Sequence, residues 1–215
     1  YTATLGDGSA LPSWLSFDAS TQTFSGTPLN DDVGSISVQV TATDAADVAI
    51  SDTFSIAVAN TNDAPTAIAL SATAIDENAA GATVGTLSTT DVDAGDSHTY
   101  ELSGDDADSF EVVDGELKLK SSVSANYETQ NSYSVTLTAT DSGGLTTSES
   151  FTITVTDIND APTLANALAD QSVDEDSAFS FVVPSNTFND EDGDTLTYTA
   201  TLGDGSALPS WLSFD

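Results

Sequence analysis

The sequence predicts an all-β fold assembled from modules of about 100 residues each, and three features point that way. Apolar residues alternate with polar ones in short runs, for example Phe54, Ile56, Val58 and Phe151, Ile153, Val155, which is the period of a strand with one buried face. Both of those runs lead into an acidic, proline-closed stretch: Asn60-Thr61-Asn62-Asp63-Ala64-Pro65 and Asp157-Ile158-Asn159-Asp160-Ala161-Pro162. Proline cannot donate to a strand ladder, so each hexapeptide marks a strand end and a joint. Finally, the 18 residues Tyr1–Asp18, YTATLGDGSALPSWLSFD, recur unchanged at Tyr198–Asp215, 197 residues further on. Asp63 and Asp160 of the two joints are 97 residues apart, which leaves 100 for the second module and predicts an alternating array of two module types. The expected division is 1–63, the back part of one module; 64–161, a complete one; and 162–215, the front part of the next.

Composition narrows the function. Thirty-five acidic residues face two basic ones, Lys118 and Lys120, for a net charge of −33. A nucleic-acid backbone or an anionic membrane surface would be repelled. A hydrophobic content of 39% in regular alternation argues for a folded chain over an acidic disordered one. A folded domain this acidic repels itself unless cations neutralise it, and adaptation to high salt is the alternative account of the same acidity. Cysteine and methionine are absent. No disulfide frame is expected, and no leader or apolar run of about 18 residues is seen, so direct membrane insertion is not expected. The expectation is an internal piece of a longer exported protein.

Taken in order, Tyr1–Leu5 alternates as a strand and turns at Gly6-Asp7-Gly8. Leu11-Pro12-Ser13-Trp14-Leu15 follows, where Trp14 reads as a packing residue, with a sugar-stacking platform as the alternative. Thr23–Pro28 closes the next strand, and two more alternating strands are expected at 35–44 and 53–59, with Ile36, Val38, Val40, Phe54, Ile56 and Val58 facing inward. Phe110–Leu119 reads as a hairpin about Asp114-Gly115, a type I′ signal. Val135–Asp141 is a further strand, and alternation resumes at Leu196, Tyr198 and Ala200. His98, beside Asp93 and Asp96, reads as a loop residue.

Two resemblances emerge from these residues. The Leu11-Pro12-Ser13-Trp14-Leu15…Phe24-Ser25-Gly26-Thr27-Pro28 pattern resembles the dystroglycan-type cadherin-like domain of bacterial surface proteins, and covers both outer segments. The central segment resembles a bacterial cadherin repeat throughout. Ile75-Asp76-Glu77-Asn78, Asp91-Val92-Asp93, Asn126-Tyr127-Glu128, the Ala-x-Asp ending at Asp141, and Asp157–Pro162 stand in that family's order. Asn126 replaces a carboxylate there, and Ala161 the family's last Asn. The resemblance implies Greek-key β-sandwich modules in a linear tandem array.

It also implies bound calcium (Ca2+), which takes about 6–8 oxygen ligands, more than one acidic turn supplies. For the joint after the central segment the implied set is Glu77, Glu128, Asp157, Asn159 and Asp160 with Asp190 and Asp192, plus Asp44 from a neighbouring copy. For the joint before it, Asn60, Asn62 and Asp63 face Asp91, Asp93 and Asp141, with Glu175 from a neighbour; Asn60 stands where the family has Asp, weakening that site. An EF-hand is not matched, since Asp91-Val-Asp-Ala-Gly95 places Gly one position early.

With one His, no Cys and no serine in a nucleophile-elbow context, no enzyme is expected. The expected function is a calcium-stiffened structural rod of a bacterial cell-surface adhesin or extracellular fibre, active in adhesion, matrix or biofilm. Its partners would be other copies of the repeat, assembled head to tail, each completing a split module. A window on one continuous fibre is the equal alternative to that split. A calcium-dependent polysaccharide-binding module is the second function.

Overall fold

The computed structural model describes residues 1–215, and the chain is all-β with two short 3-10 turns. In the first segment, β1 (Thr2–Leu5), β4 (Gly34–Thr43) and β5 (Ala49–Val58) form one antiparallel sheet in the order β1-β4-β5. Its register pairs Thr2 with Thr41 and Leu5 with Val38. A separate hairpin joins β2 (Leu15–Asp18) to β3 (Thr23–Gly26), setting Leu15 opposite Gly26 and Phe17 opposite Phe24. Phe17 and Phe24 lie 4.6 Å apart at their ring centres, and Phe24 meets Phe54 edge-on at 5.4 Å. Trp14 is half-buried, in keeping with packing.

Here the expected inward face is largely open. Only Val38 of the six expected residues is buried, while Phe54 is 42% exposed and Ile36, Val40, Ile56 and Val58 are half-buried. Alternation puts these side chains on one face, but only the two-stranded β2–β3 hairpin reaches it, through Phe24 against Phe54, and β5 has no strand on its outer edge.

The central segment is a closed sandwich of two four-stranded sheets. One has the order β10-β11-β8-β6, from β6 (Ala67–Leu70), β8 (Thr83–Thr90), β10 (Phe110–Val113) and β11 (Glu116–Leu119). The other has the order β7-β13-β12-β9, from β7 (Ala74–Asp76), β9 (Thr99–Ser103), β12 (Ser132–Thr140) and β13 (Thr146–Thr156). Fourteen buried apolar residues fill the space between, including Phe110, Leu117, Leu119, Val135, Leu137 and Ile153. Full burial of one such side chain contributes about 1.5–3 kcal/mol. β7 runs parallel to β13, with Val155 opposite Ile75, and this pairing delivers the next residue, Glu77, to the lower end of the sandwich. The hairpin is as expected: Phe110 pairs with Leu119, and Asp114 and Gly115 both have positive φ, 52° and 78°, as a type I′ turn requires.

After the second joint, regular structure nearly stops. β14 (Thr163–Leu164) and β15 (Phe188–Asn189) form one short pair. The strand expected at Leu196, Tyr198 and Ala200 is absent, although Tyr198–Asp215 repeats the sequence that forms β1 and β2. The physical reason is the missing partner: β1 is held by β4 and β2 by β3, and no counterpart of either lies beside 198–215. Consequently Trp211 is 69% exposed, whereas Trp14 is half-buried.

Candidate metal centres at the two joints

Glu77 organises the joint after the sandwich. It is 3% exposed, and its carboxylate accepts the backbone N–H of Ile158 at 2.7 Å and that of Tyr127 at 2.8 Å. Those two bonds, that to Ile158 the stronger, hold its pKa below the usual carboxylate range. Asn78 follows in the left-handed region, φ 64°, which asparagine tolerates, and its amide donates to Asp160 Oδ1 at 3.1 Å. One short motif therefore ties the 126–128 loop and the 157–160 linker to the end of β7.

Around this anchor the carboxylates of Glu77, Glu128, Asp157 and Asp192 converge, with ligand oxygens all within 4.8 Å of one another. Asp192 also belongs to a second group with Asp190 and Asp194. The Asp160 N–H donates to Asp192 Oδ2 at 2.6 Å, fixing the linker to the segment beyond it. No basic side chain enters the cluster: both lysines lie at the end of β11, at 118 and 120. For Asp157, burial first and then the negative charges of Asp192, Glu77, Asp160 and Asp194 push the pKa up. For Glu128, a backbone hydrogen bond lowers it, but burial and the charges of Glu77, Asp192 and Asp157 together outweigh that and raise it. Asp160 Oδ2 and Asp192 Oδ1 are shut away from solvent without a hydrogen-bond donor. All-oxygen and anionic, with Glu77 buried and two oxygens orphaned on Asp160 and Asp192, this donor set fits a hard divalent cation such as calcium.

The joint before the sandwich has the same plan with different closure. The Asp63 N–H donates to Asp93 Oδ2 at 2.7 Å, just as that of Asp160 does to Asp192. Here, however, the Asn60 amide reaches Asp93 Oδ1 at 2.9 Å, and the Asn62 amide reaches Asp141 Oδ2 at 2.9 Å. Gly143 makes room for Asn62, since a Cβ at that position would overlap its amide group. Asp93 and Asp141 are thus buried yet bonded to amides. Asn60 occupies the place that Asp157 holds in the other joint, so an amide donor closes the first joint where a carboxylate leaves the second one open.

Other expected ligands are placed as follows. Asp91 lies beside the first joint, where its Oδ1 accepts the Asp93 N–H and its Oδ2 lies 3.0 Å from His98 Nε2. With Asp96 these form a third group of close ligand atoms; His98 stands, as expected, in the loop before β9 and pairs there with Asp91. Asn159 donates its amide to the Asp160 carbonyl. Asp44 caps its own hairpin, accepting the N–H groups of Ala46 and Val48, and joins neither cluster. The Asp141 loop repeats that capping through Leu145. Glu175 joins neither cluster either. Sequence reasoning missed Asp194, and it missed the inter-segment bond from Asn126 to Glu191 at 2.6 Å. Asp194 stood in the acidic run 190–194 as a visible signal; the Asn126 contact left none.

The family comparisons divide the chain in two. The He_PIG model, described as "Putative Ig domain", matches residues 1–59 and 161–215, and the model described as "Cadherin domain" matches residues 71–156. Among curated proteins nothing matches. Similar solved structures include the protocadherin gammaB7 EC3-6 cis-dimer, 25% identical with TM-score 0.57 over 75% of this chain and 41% of that one. The protocadherin gammaB4 extracellular domain is 24% identical with TM-score 0.59, over 77% of this chain and 28% of that one. Mouse cadherin-23 EC22-24 is 18% identical with TM-score 0.52, over 72% and 54%. The present chain therefore spans less than half the length of the first two. Likenesses at this level establish the cadherin-like β-sandwich fold. No helix of the protein is long and apolar enough to cross a membrane.

Proposed function

The chain belongs to the Ig-like He_PIG family, with a cadherin domain between its two matched segments, and from that premise we propose that it is a calcium-stiffened structural segment of a bacterial cell-surface adhesin or extracellular fibre. It works outside the cell, as a spacer whose joints set rigidity, and its three segments divide at 1–63, 64–161 and 162–215. The observation that carries this reading is the convergence of Glu77, Glu128 and Asp157 of the sandwich with Asp192 of the next segment, without a cationic partner. A divalent ion bound there would join the two segments. Glu77, Glu128, Asp157, Asp160, Asp190 and Asp192 are the protein ligands proposed for it, with the Asn159 carbonyl and Asp44 of a neighbouring copy as further donors.

At the other joint, Asn60, Asn62, Asp63, Asp91, Asp93 and Asp141 would hold calcium more weakly, because amide hydrogens must first leave Asp93 and Asp141. Glu175 of a neighbour would complete that set. Head-to-tail association of copies is part of the same reading: the two outer segments expose large apolar side chains, among them Phe54, Phe181 and Trp211.

Scanning calorimetry with calcium and with chelator tests the proposal, alongside small-angle scattering. Chelation is expected to lower the melting temperature and loosen the joints. Unchanged melting and unchanged scattering would refute the calcium reading.

A further inference from the structure

The charge of −33 is not spread evenly, and one face of the sandwich carries almost none of it. β12 and β13 turn only Ser or Thr outward, at alternate positions from Ser132 to Thr140 and from Thr146 to Thr154. Register sets these hydroxyls opposite one another, and they share hydrogen bonds across the strands: Thr136 with Ser150 and Thr138 with Ser148, both at 2.9 Å. β9 adds Thr99, Glu101 and Ser103 to the same face. Glu101, opposite Thr138, is the single charge among the outward residues of these three strands. The other sheet differs, with Glu111, Glu116 and Lys118 on its outer side. The β4–β5 hairpin repeats the uncharged pattern on its outer side. There Ser37 lies opposite Ser55, Gln39 opposite Thr53, and Thr41 opposite Ser51 with a 2.8 Å bond between their hydroxyls. Strand preference accounts for the threonines, but not for the serines or the missing carboxylates.

We propose that this hydroxyl face is where two copies of the chain lie side by side. Charge selects the occupant. A neutral partner such as an uncharged polysaccharide gains nothing by meeting the chain here rather than elsewhere, and no aromatic side chain stands on the face to stack on a sugar. A partner carrying the same −33 is repelled by every surface that bears carboxylates, and this face is the exception. Hydroxyls already bonded to each other also lose little when water leaves. The contact is lateral, so it depends neither on the joints nor on head-to-tail association. Glu101 sets its register. A two-fold axis lying in the face at Thr138 and running across the strands brings Glu101 against Glu101 of the second copy. An axis running along β12 instead brings Glu101 against Ser148 of the second copy, whose hydroxyl can donate to the carboxylate, and leaves the two copies parallel. The face measures about 30 Å by 10–15 Å, at ~6.6 Å per pair of residues and ~4.8 Å per strand. That is below the roughly 800 Å² per partner of a standard interface, so one contact is weak and gains strength where such faces are linked along a chain.

Sedimentation and light scattering of the full chain, with calcium held saturating, test the contact. Raising monovalent salt from about 0.1 to about 1 M shortens the Debye length from about 10 to about 3 Å, and association is expected to strengthen about tenfold. Thr138→Glu is expected to abolish it. Thr83→Glu, which adds the same charge on the other sheet opposite Lys118, and Thr138→Ser are expected to leave it unchanged. Melting of each variant confirms that the sandwich is folded. The absence of cysteine lets Glu101→Cys and Ser148→Cys chains, mixed under mild oxidation, report the register. The mixed disulfide dimer is expected in preference to either like-with-like dimer, and crosslinking of Glu101→Cys chains with themselves overturns the parallel arrangement. A wild-type chain that stays monomeric at 1 M salt at every concentration overturns the proposal, while the calcium joint, read by chelation, stands. Equal weakening by Thr138→Glu and Thr83→Glu overturns it in favour of contacts elsewhere, head-to-tail association among them. Retention of the wild-type chain on a neutral polysaccharide, lost in Thr138→Glu and without self-association, assigns the face to that ligand instead.

Discussion

At the scale of single residues, the two joints make a natural comparison: one place holds Asn60 and its counterpart holds Asp157. The amide satisfies Asp93, and the carboxylate leaves Asp192 Oδ1 without a donor. Asp157→Asn should therefore raise the melting temperature in chelator, by roughly 2–4 °C for a chain of this size, and shrink the rise that calcium brings. Calorimetry with and without calcium checks both halves, and a larger calcium effect in the variant would contradict the role given to Asp157. A second residue-scale prediction concerns Asp18. The Ser20 hydroxyl, together with the N–H groups of Ser20 and Thr21, lowers its pKa from 3.8 to about 2. A depressed carboxylate stabilises the fold above its unfolded pKa, and that contribution fades as pH falls from about 4 towards 2. Ser20→Ala should move the Asp18 titration upward in an NMR experiment and begin the acid loss of the β2–β3 hairpin at higher pH. The carboxylates that converge at the second joint, Glu77, Glu128, Asp157 and Asp192, stand in acidic motifs whose order was legible in the sequence. His98 against Asp91 and Asn126 against Glu191 were not, because those contacts join loops whose approach only packing sets.

Among the elements, the contrast is between a closed sandwich and an open sheet. β12 buries alternate residues, Tyr133, Val135, Leu137 and Ala139, because β9 and β13 flank it and the other sheet covers it. β5 shows similar alternation in sequence and buries no residue. Truncating the fully buried Leu137 to Ala should cost about 2–5 kcal/mol, measured by denaturant unfolding, and by the same amount with calcium or chelator. A cost that depended on calcium would mean that the sandwich core and the joint unfold as one unit. The type I′ hairpin at Asp114-Gly115 was readable in advance, since the turn type is dictated by two adjacent residues that accept positive φ.

For the whole molecule, charge decides the behaviour. With −33 over 215 residues, screening by salt and bridging by calcium predict different outcomes. At 1 M monovalent salt the Debye length is about 3 Å, which mutes repulsion between surface carboxylates. Oxygens clustered within 4.8 Å still lack a counter-charge of their own. Melting in chelator should therefore rise with salt and stay below its value in calcium. Full recovery by salt alone would favour adaptation to high salt as the reason for the acidity.

The sequence by itself determined everything local. It set the strand period, the proline-closed joints, the order of acidic motifs, and the turns at 6–9 and 203–206, which are the same in both copies of the repeat because Asp-Gly-Ser chemistry closes them within a few residues. Tertiary structure alone decided which copy becomes a strand. Tyr1–Asp18 and Tyr198–Asp215 have one sequence and two structures. A strand's hydrogen bonds belong to its partner as much as to itself, and β3 and β4 stand beside only the first copy.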